Sequence, residues 1–233
     1  MDERISEHPV SQVISDLTLL ITSRIQQGKE VHIGLTGGTS GNEISLSLAS
    51  NNDVMASPLV HLWWSDERFL PAGDPQRNDT AFDGADVANH HRRANIHCVA
   101  FADSQTTVHQ AAIQYSAQLH NFTTTRFCAT NTLMDVTVLS IGTDGHVASL
   151  FPHSPELHSS LGIVGITDSP KPPPQRVTWT YPTINASEQV WLIAVGQSKS
   201  EAVRQLRSGA TPEDIPAAGA SGKVETRLYT DLI

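Results

Sequence analysis

Val136-Thr137-Val138-Leu139-Ser140-Ile141 runs without a break into Gly142-Thr143-Asp144-Gly145-His146. The first six residues, aliphatic and β-branched, read as a buried strand. The glycines end it and set an acid and a histidine just beyond its carboxyl end. Ligands of open parallel sheets sit in that place, so this stretch points to an α/β architecture.

Working outward, the pattern repeats. Val31-His32-Ile33-Gly34-Leu35 is a short strand that enters Thr36-Gly37-Gly38-Thr39-Ser40-Gly41, with a helical stretch from Asn42 to Ser50 behind it. Val60-His61-Leu62-Trp63-Trp64 ends in Ser65-Asp66-Glu67-Arg68, and Val190 to Val195 ends at Gly196, before a helix from Ser198 to Leu206. Apolar residues at helical spacing from Val10 to Gln27, with Gly28 as the stop, predict a first helix. A second is expected from Gln105 to Leu119, a short strand at Ile96 to Val99, and a loop from Leu70 to Asn78. Further on, Leu161 to Ile166 reads as a strand and Ser169 to Pro174 as extended chain. Arg176 to Thr180 reads as an edge strand, and a last strand falls after Asp214. The expectation is an open, mostly parallel sheet with helices on both faces, in one domain over residues 1–233. Segments 36–41, 65–68, 142–146 and 196–199 all end strands and should share one crevice.

Bulk properties exclude several function classes. A net charge of -9 over 233 residues offers no general grip on nucleic acid or an anionic membrane. No stretch approaches eighteen apolar residues, and Met1-Asp2-Glu3-Arg4 starts no apolar run, so a cytoplasmic protein without a membrane partner is expected. Cys98 and Cys128 stand in no metal or redox spacing and read as two buried thiols. No H-E-x-x-H or G-x-S-x-G occurs, which argues against a zinc site and a serine esterase.

Each chemistry-bearing segment also has a plain structural reading. Gly37, Gly38, Thr39 and Ser40 can cradle a phosphate on backbone N–H groups and hydroxyls at a helix start, or simply turn the chain. Arg68 offers a planar fork for an anion, and Asp66 can orient a side chain or a hydroxyl; alone, such a cluster is usually a solvated salt bridge. His146 can act as a general base near neutrality with Asp144 fixing its tautomer, or Asp144 can cap a helix beside a surface histidine. Lys171, Arg176 and Lys199 are cations in adjoining segments; each alone is more often a surface charge, but a dianionic phosphate wants two or three such donors, so some of them should converge. The polar stretch His90-His91-Arg92-Arg93, and His8, His109, His120, His153 and His158, read as ordinary surface or helix positions.

Taken together the segments resemble a known family. Thr36-Gly37-Gly38-Thr39-Ser40, Ser65-Asp66-Glu67-Arg68-Phe69-Leu70-Pro71 with Asp74 and Asn78, Gly142 to Pro152, and Pro170 to Thr178 are similar, in order, to the motifs of 6-phosphogluconolactonases. The resemblance implies a Rossmann-like fold related to glucosamine-6-phosphate deaminase. It implies hydrolysis of 6-phospho-D-glucono-1,5-lactone to 6-phosphogluconate, in the oxidative pentose phosphate pathway. The family's base falls on His146, with Asp144 or Asp66 to orient it. Its phosphate site falls on the glycine loop with Thr39, Ser40, Arg68 and Lys171, joined by Arg176 and Lys199. It implies no metal or organic cofactor, a small sugar-phosphate partner and a monomer or homodimer. The loop departs from the family's usual Gly-Gly-Ser-Thr-Pro, Arg77 stands where serine is common, and Thr143 replaces a frequent proline. Two other readings stay open: a glucosamine-6-phosphate deaminase, against which Arg68 and Ser149-Leu150-Phe151-Pro152 speak, and a non-catalytic sugar-phosphate sensor.

Overall fold

The computed structural model describes residues 1–82 and 93–233; His90, His91 and Arg92 lie outside the described residues. In chain order the elements are β1 (Asp2–Ile5), α1 (Pro9–Gln26), β2 (Val31–Leu35), α2 (Gly38–Ala49), α3 (Asn52–Met55), β3 (Val60–Trp64), β4 (Asp66–Arg68) and β5 (Asn95–His97). They continue with α4 (Val108–Thr130), β6 (Val136–Ser140), β7 (Ile163–Ile166), β8 (Arg176–Trp179), α5 (Tyr181–Ile184), β9 (Gln189–Ala194), α6 (Ser200–Arg207) and β10 (Glu225–Thr230).

Among the described residues, seven strands form an open sheet in the order β1-β10-β9-β6-β2-β3-β5, and every pairing in it is parallel. Strand periodicity divides the interior in two. On β6 and β9, Val136, Val138, Trp191 and Ile193 face a core shared with Val13, Leu17, Ile21, Ile44 and Leu48 of α1 and α2. Their alternates Leu139, Val190, Leu192 and Ala194 face the other core, with Ala111, Tyr115 and Leu119 of α4 and Val203 of α6. Helices therefore cover both faces, as the near-continuous apolar strands require. All four tryptophans, Trp63, Trp64, Trp179 and Trp191, are buried. At roughly 25 cal/mol per Å² over about 200 Å², each removes up to about 5 kcal/mol of apolar surface cost.

Local rules account for several boundaries. Thr107 and Gln110 form a reciprocal capping box, so α4 starts at Val108. It runs to Thr130, well beyond Leu119, where a left-handed Asn131 ends it. Helix α2 begins at Gly38, so the glycine loop is its first turn, not a separate linker before Asn42.

A smaller sheet corrects two expectations. Strands β4, β8 and β7 pair antiparallel in that order. Arg176–Trp179 is therefore a central strand, flanked on both sides, and not an edge. Asp66–Arg68 belongs to this sheet: the chain leaves β3 at Ser65 and pairs Asp66 with Thr178 and Arg68 with Arg176. Pro170 to Pro173 form bends, not extended chain, with a cis peptide bond at Pro172-Pro173. Both cysteines are free, but Cys128 is exposed and Cys98 only partly buried, so the pair is not two core thiols.

Candidate active site

The crevice lies at the carboxyl ends of β2, β6 and β9, where the parallel strands aim their polar loops. Thr36, Gly37, Gly38, Thr39, Ser40, Asp66, Arg68, His146, Arg176 and Lys199 line one cavity of about 530 Å³. All four predicted strand ends contribute to it.

One wall is the start of α2. Thr39 and Ser40 sit in its first turn, where backbone N–H groups have no intrahelical acceptor and the helix dipole is positive. Gly37 is needed for close approach, because a Cβ there would stand 2.2 Å from Oδ1 of Asn78. The Asn78 amide in turn donates to the Asp66 carbonyl at 2.8 Å. Thr36 ties this wall to the neighbouring strand by accepting the Ser140 N–H at 3.1 Å.

The opposite wall carries the histidine. Gly142 to His146 closes a tight loop in which the Gly142 N–H donates to the His146 carbonyl at 2.8 Å. No helix follows it: residues 143–150 are turns and a short bridge, so Asp144 is not a helix cap. Asp144 Oδ1 is hydrogen-bonded to Nδ1 of His146, and Asp144 Oδ2 pairs with the Lys171 ammonium at 2.9 Å. Lys171 Nζ also comes within 3.1 Å of Nδ1. An ionised carboxylate can only accept, so the closer Asp144 contact puts the proton on Nδ1, and the Lys171 ammonium, which can only donate, is then a charged neighbour of that nitrogen and not its hydrogen-bond partner. The lone pair of the neutral ring then sits on Nε2, the tautomer a general base needs. Burial opposes ionisation of Asp144, yet hydrogen bonds from His146 and Lys171 hold its carboxyl well below the usual carboxylate range. The imidazole packs against Phe151, ring centres 4.7 Å apart, and its side chain keeps 20% exposure.

The remaining cations fall into place around this frame. Arg176, buried, spends Nε on the Pro173 carbonyl and Nη2 on the carbonyls of Lys171 and Pro172, each at 3.1 Å. It thereby shapes the loop that presents Lys171. Its Nη1 lies 3.7 Å from Asp66 Oδ2. Arg68 donates Nη1 to the Gln76 carbonyl, and its Nε is buried with no partner among the described residues. Burial and the neighbouring Lys171 lower the Lys199 ammonium, a crowding of positive charge that an anion would relieve.

Arg77 has a different job. It is fully buried, clasps Asp79 with Nε at 2.9 Å and Nη2 at 2.6 Å, and donates to the carbonyls of Arg68, Leu70 and Val99. Glu67 beneath it accepts the N–H groups of Arg68, Asn78 and Asp79. Burial and nearby Asp79 push the Glu67 carboxyl up, against the pull of Arg77 and these donors. This buried knot fixes loop 70–79 and so the aim of Arg68.

Of the residues read from sequence, Asp144 and Lys171 reach the cavity through His146, not by lining it. Asp66 is brought to Ser149 and Arg176, where Ser149 Oγ donates to Asp66 Oδ2 at 2.7 Å. Asp144 is the carboxylate bonded to His146. Thr36 and Ser198 line the cavity from within the segments expected to meet there, and Ser140, at the end of β6, lines it from outside them. Away from the crevice, Glu30, His32 and His61 bring ligand-type atoms within 4.8 Å of one another. The donor chemistry there does not favour a cation. Trp63 Nε1, which can only donate, is bonded to His32 Nδ1 at 3.2 Å. The His32 proton is then on Nε2, the nitrogen nearer Glu30.

Comparison with known proteins agrees with this geometry. An open parallel sheet with a helix start and a histidine loop beyond the carboxyl ends of its strands defines an α/β class whose ligand crevice lies at those ends. The chain belongs to the glucosamine-6-phosphate isomerase/6-phosphogluconolactonase family, whose model matches residues 6–229. A 6-phosphogluconolactonase of Streptomyces coelicolor is 37% identical over 223 residues, covering 92% of this chain and 84% of the relative. One of Mycobacterium tuberculosis is 37% identical over 207 residues, covering 85% and 81%. The crystal structure of a 6-phosphogluconolactonase from Shewanella baltica superposes with a TM-score of 0.79 over 98% of this chain and 96% of that one, at 21% identity. That likeness speaks to the fold.

Proposed function

We propose that this protein hydrolyses 6-phospho-D-glucono-1,5-lactone to 6-phosphogluconate, the lactone-opening step of the oxidative pentose phosphate pathway. Its family and its 37% identical relatives named 6-phosphogluconolactonase support the reaction. The observation that carries the chemistry is the Asp144–His146 pair facing a cavity whose other lining includes a helix start, Arg68, Arg176 and Lys199.

In this reading the phosphate sits on the first turn of α2, at Gly37, Gly38, Thr39 and Ser40, with guanidinium and ammonium groups supplying charge. The lactone carbonyl is thereby held near His146. Neutral His146 removes a proton from water through Nε2 as the water oxygen bonds to C1. The tetrahedral oxyanion collapses, the bond from C1 to the ring oxygen breaks, and the imidazolium returns its proton to that oxygen. The product acid then ionises. Asp144 holds the ring's tautomer and stabilises the transient imidazolium. Every step is proton transfer or acyl chemistry that these side chains can perform.

The test is a rate assay on freshly generated lactone, corrected for spontaneous opening, run beside an assay for ammonia release from glucosamine 6-phosphate. Acceleration of the first with none of the second is expected. The reverse outcome would assign the deaminase activity, and phosphate-ligand binding with neither activity would favour the sensor.

A further inference from the structure

Ser149 follows the histidine loop and is fully buried, yet it does not line the cavity. Its N–H and its hydroxyl both point to the smaller sheet. Its N–H donates to Thr178 Oγ1 on β8 at 3.1 Å. Its hydroxyl donates to Asp66 Oδ2 on β4 at 2.7 Å. Arg176 Nη1 lies 3.5 Å from the same hydroxyl and 3.7 Å from the same carboxylate oxygen. Ala148, one residue before, lines the cavity with a left-handed φ of 50°, uncommon for a residue with a side chain. The chain accepts this conformation where it turns from His146 to Ser149, and the two Ser149 bonds anchor the turn.

We infer that Ser149 is a positioning residue: through Asp66 it fixes the edge of Arg176 that faces the cavity and holds the His146 loop at a set distance from it. The inference rests on the proposed lactonase reading of the same crevice. The logic is geometric. Arg176 has its Nε and Nη2 committed to loop carbonyls, so only the Nη1 side is available to an anion. That side is steered by one carboxylate oxygen, and the carboxylate is held by one hydroxyl. Removing the hydroxyl frees Asp66 Oδ2 to take a closer, direct pair with Nη1, drawing the guanidinium edge from the ligand. Buried hydrogen bonds to charged groups are of a strength that makes this matter. Asp66 thus acts on the anion side of the site, and Asp144 on the base side.

The experiment compares Ser149→Ala with the parent protein for lactone hydrolysis and for competitive inhibition by inorganic phosphate. The expected result is a KM and a phosphate inhibition constant raised by on the order of ten-fold, with kcat less affected and the thermal midpoint close to the parent's. The same substitution in an Arg176→Lys background should change KM little further, because the hydroxyl acts through that guanidinium. Should Ser149→Ala not fold, Ser149→Cys keeps the volume, weakens the donor and is read in the same way. Unchanged KM and phosphate inhibition, or an equal effect with and without Arg176, would overturn the inference. Failure of the parent protein to hydrolyse the lactone is a separate outcome and would strike the functional reading, since the phosphate dissociation constant of parent and variant is also read by calorimetric titration, without turnover.

Discussion

The imidazole of His146 lies where a side chain on Gly142 would stand: a Cβ there would be 1.9 Å from Nδ1 and 2.6 Å from Asp144 Oδ1. The glycine just beyond β6 is therefore part of the imidazole's seat. Gly142→Ala should push the ring off Asp144 and lower kcat on the order of 10²-fold, because misplacing a catalytic group by about 1 Å has that cost. Inhibition by inorganic phosphate should change little. Steady-state kinetics with and without phosphate check both.

Asp144 holds the proton on Nδ1, and an amide in its place can present a donor there instead. Asp144→Asn should lower kcat by on the order of 10² to 10⁴ with a small change in KM. A normal kcat in this variant would mean that the tautomer is set by some other group.

Arg68 is aimed by the buried Arg77–Asp79–Glu67 knot, and its Nε lacks a partner among the described residues. Arg68→Ala should raise KM more than it lowers kcat. Arg77→Ala should instead lower the thermal midpoint, because it strands Asp79 and Glu67 in the interior, a loss of about 3–5 kcal/mol for a broken buried pair. Calorimetry and kinetics on the two variants separate binding from structure.

A row of histidines makes stability depend on pH. His32, His61 and His97 are buried and stacked with Trp63 beneath α4. Burial, joined by nearby histidines and Arg126, lowers His32 to about 2; burial and His61 lower His97 to about 3; burial also lowers His61. The folded state keeps His32 and His97 neutral and disfavours the charged form of His61, whereas the unfolded chain protonates all three below about 6.5. Stability from this source is complete above that pH and falls as pH drops below it, by up to about 1.4 kcal/mol per pH unit for each extra proton bound on unfolding. Urea midpoints measured from pH 7.5 down to 5 should decline through this range. Equal midpoints at pH 7 and 5 would mean that the rings are not held neutral.

Much of this site was legible in the sequence because strand ends are legible. The runs at 31–35, 60–64, 136–141 and 190–195 are apolar enough to mark buried parallel strands, and each stops at glycine or a polar cluster. What the sequence did not reveal depends on long-range pairing. The three-residue strand Asp66–Arg68 has no periodicity of its own and exists because β8 lies beside it. Arg176–Trp179 alternates like an edge strand, yet both of its sides are paired. The choice between Asp144 and Asp66 as the partner of His146 needed coordinates, since both acids stand beyond strand ends. The histidine row was hidden for the same reason: His32, His61 and His97 meet only through the register of β2, β3 and β5.

The most direct test of the central claim is the initial rate of lactone opening by His146→Ala against the parent protein, with the spontaneous rate subtracted and phosphate binding measured on both. The expected result is a variant that binds phosphate normally and retains almost none of the enzymatic rate. A variant that opens the lactone at the parent's rate would contradict the assignment of His146 as the base.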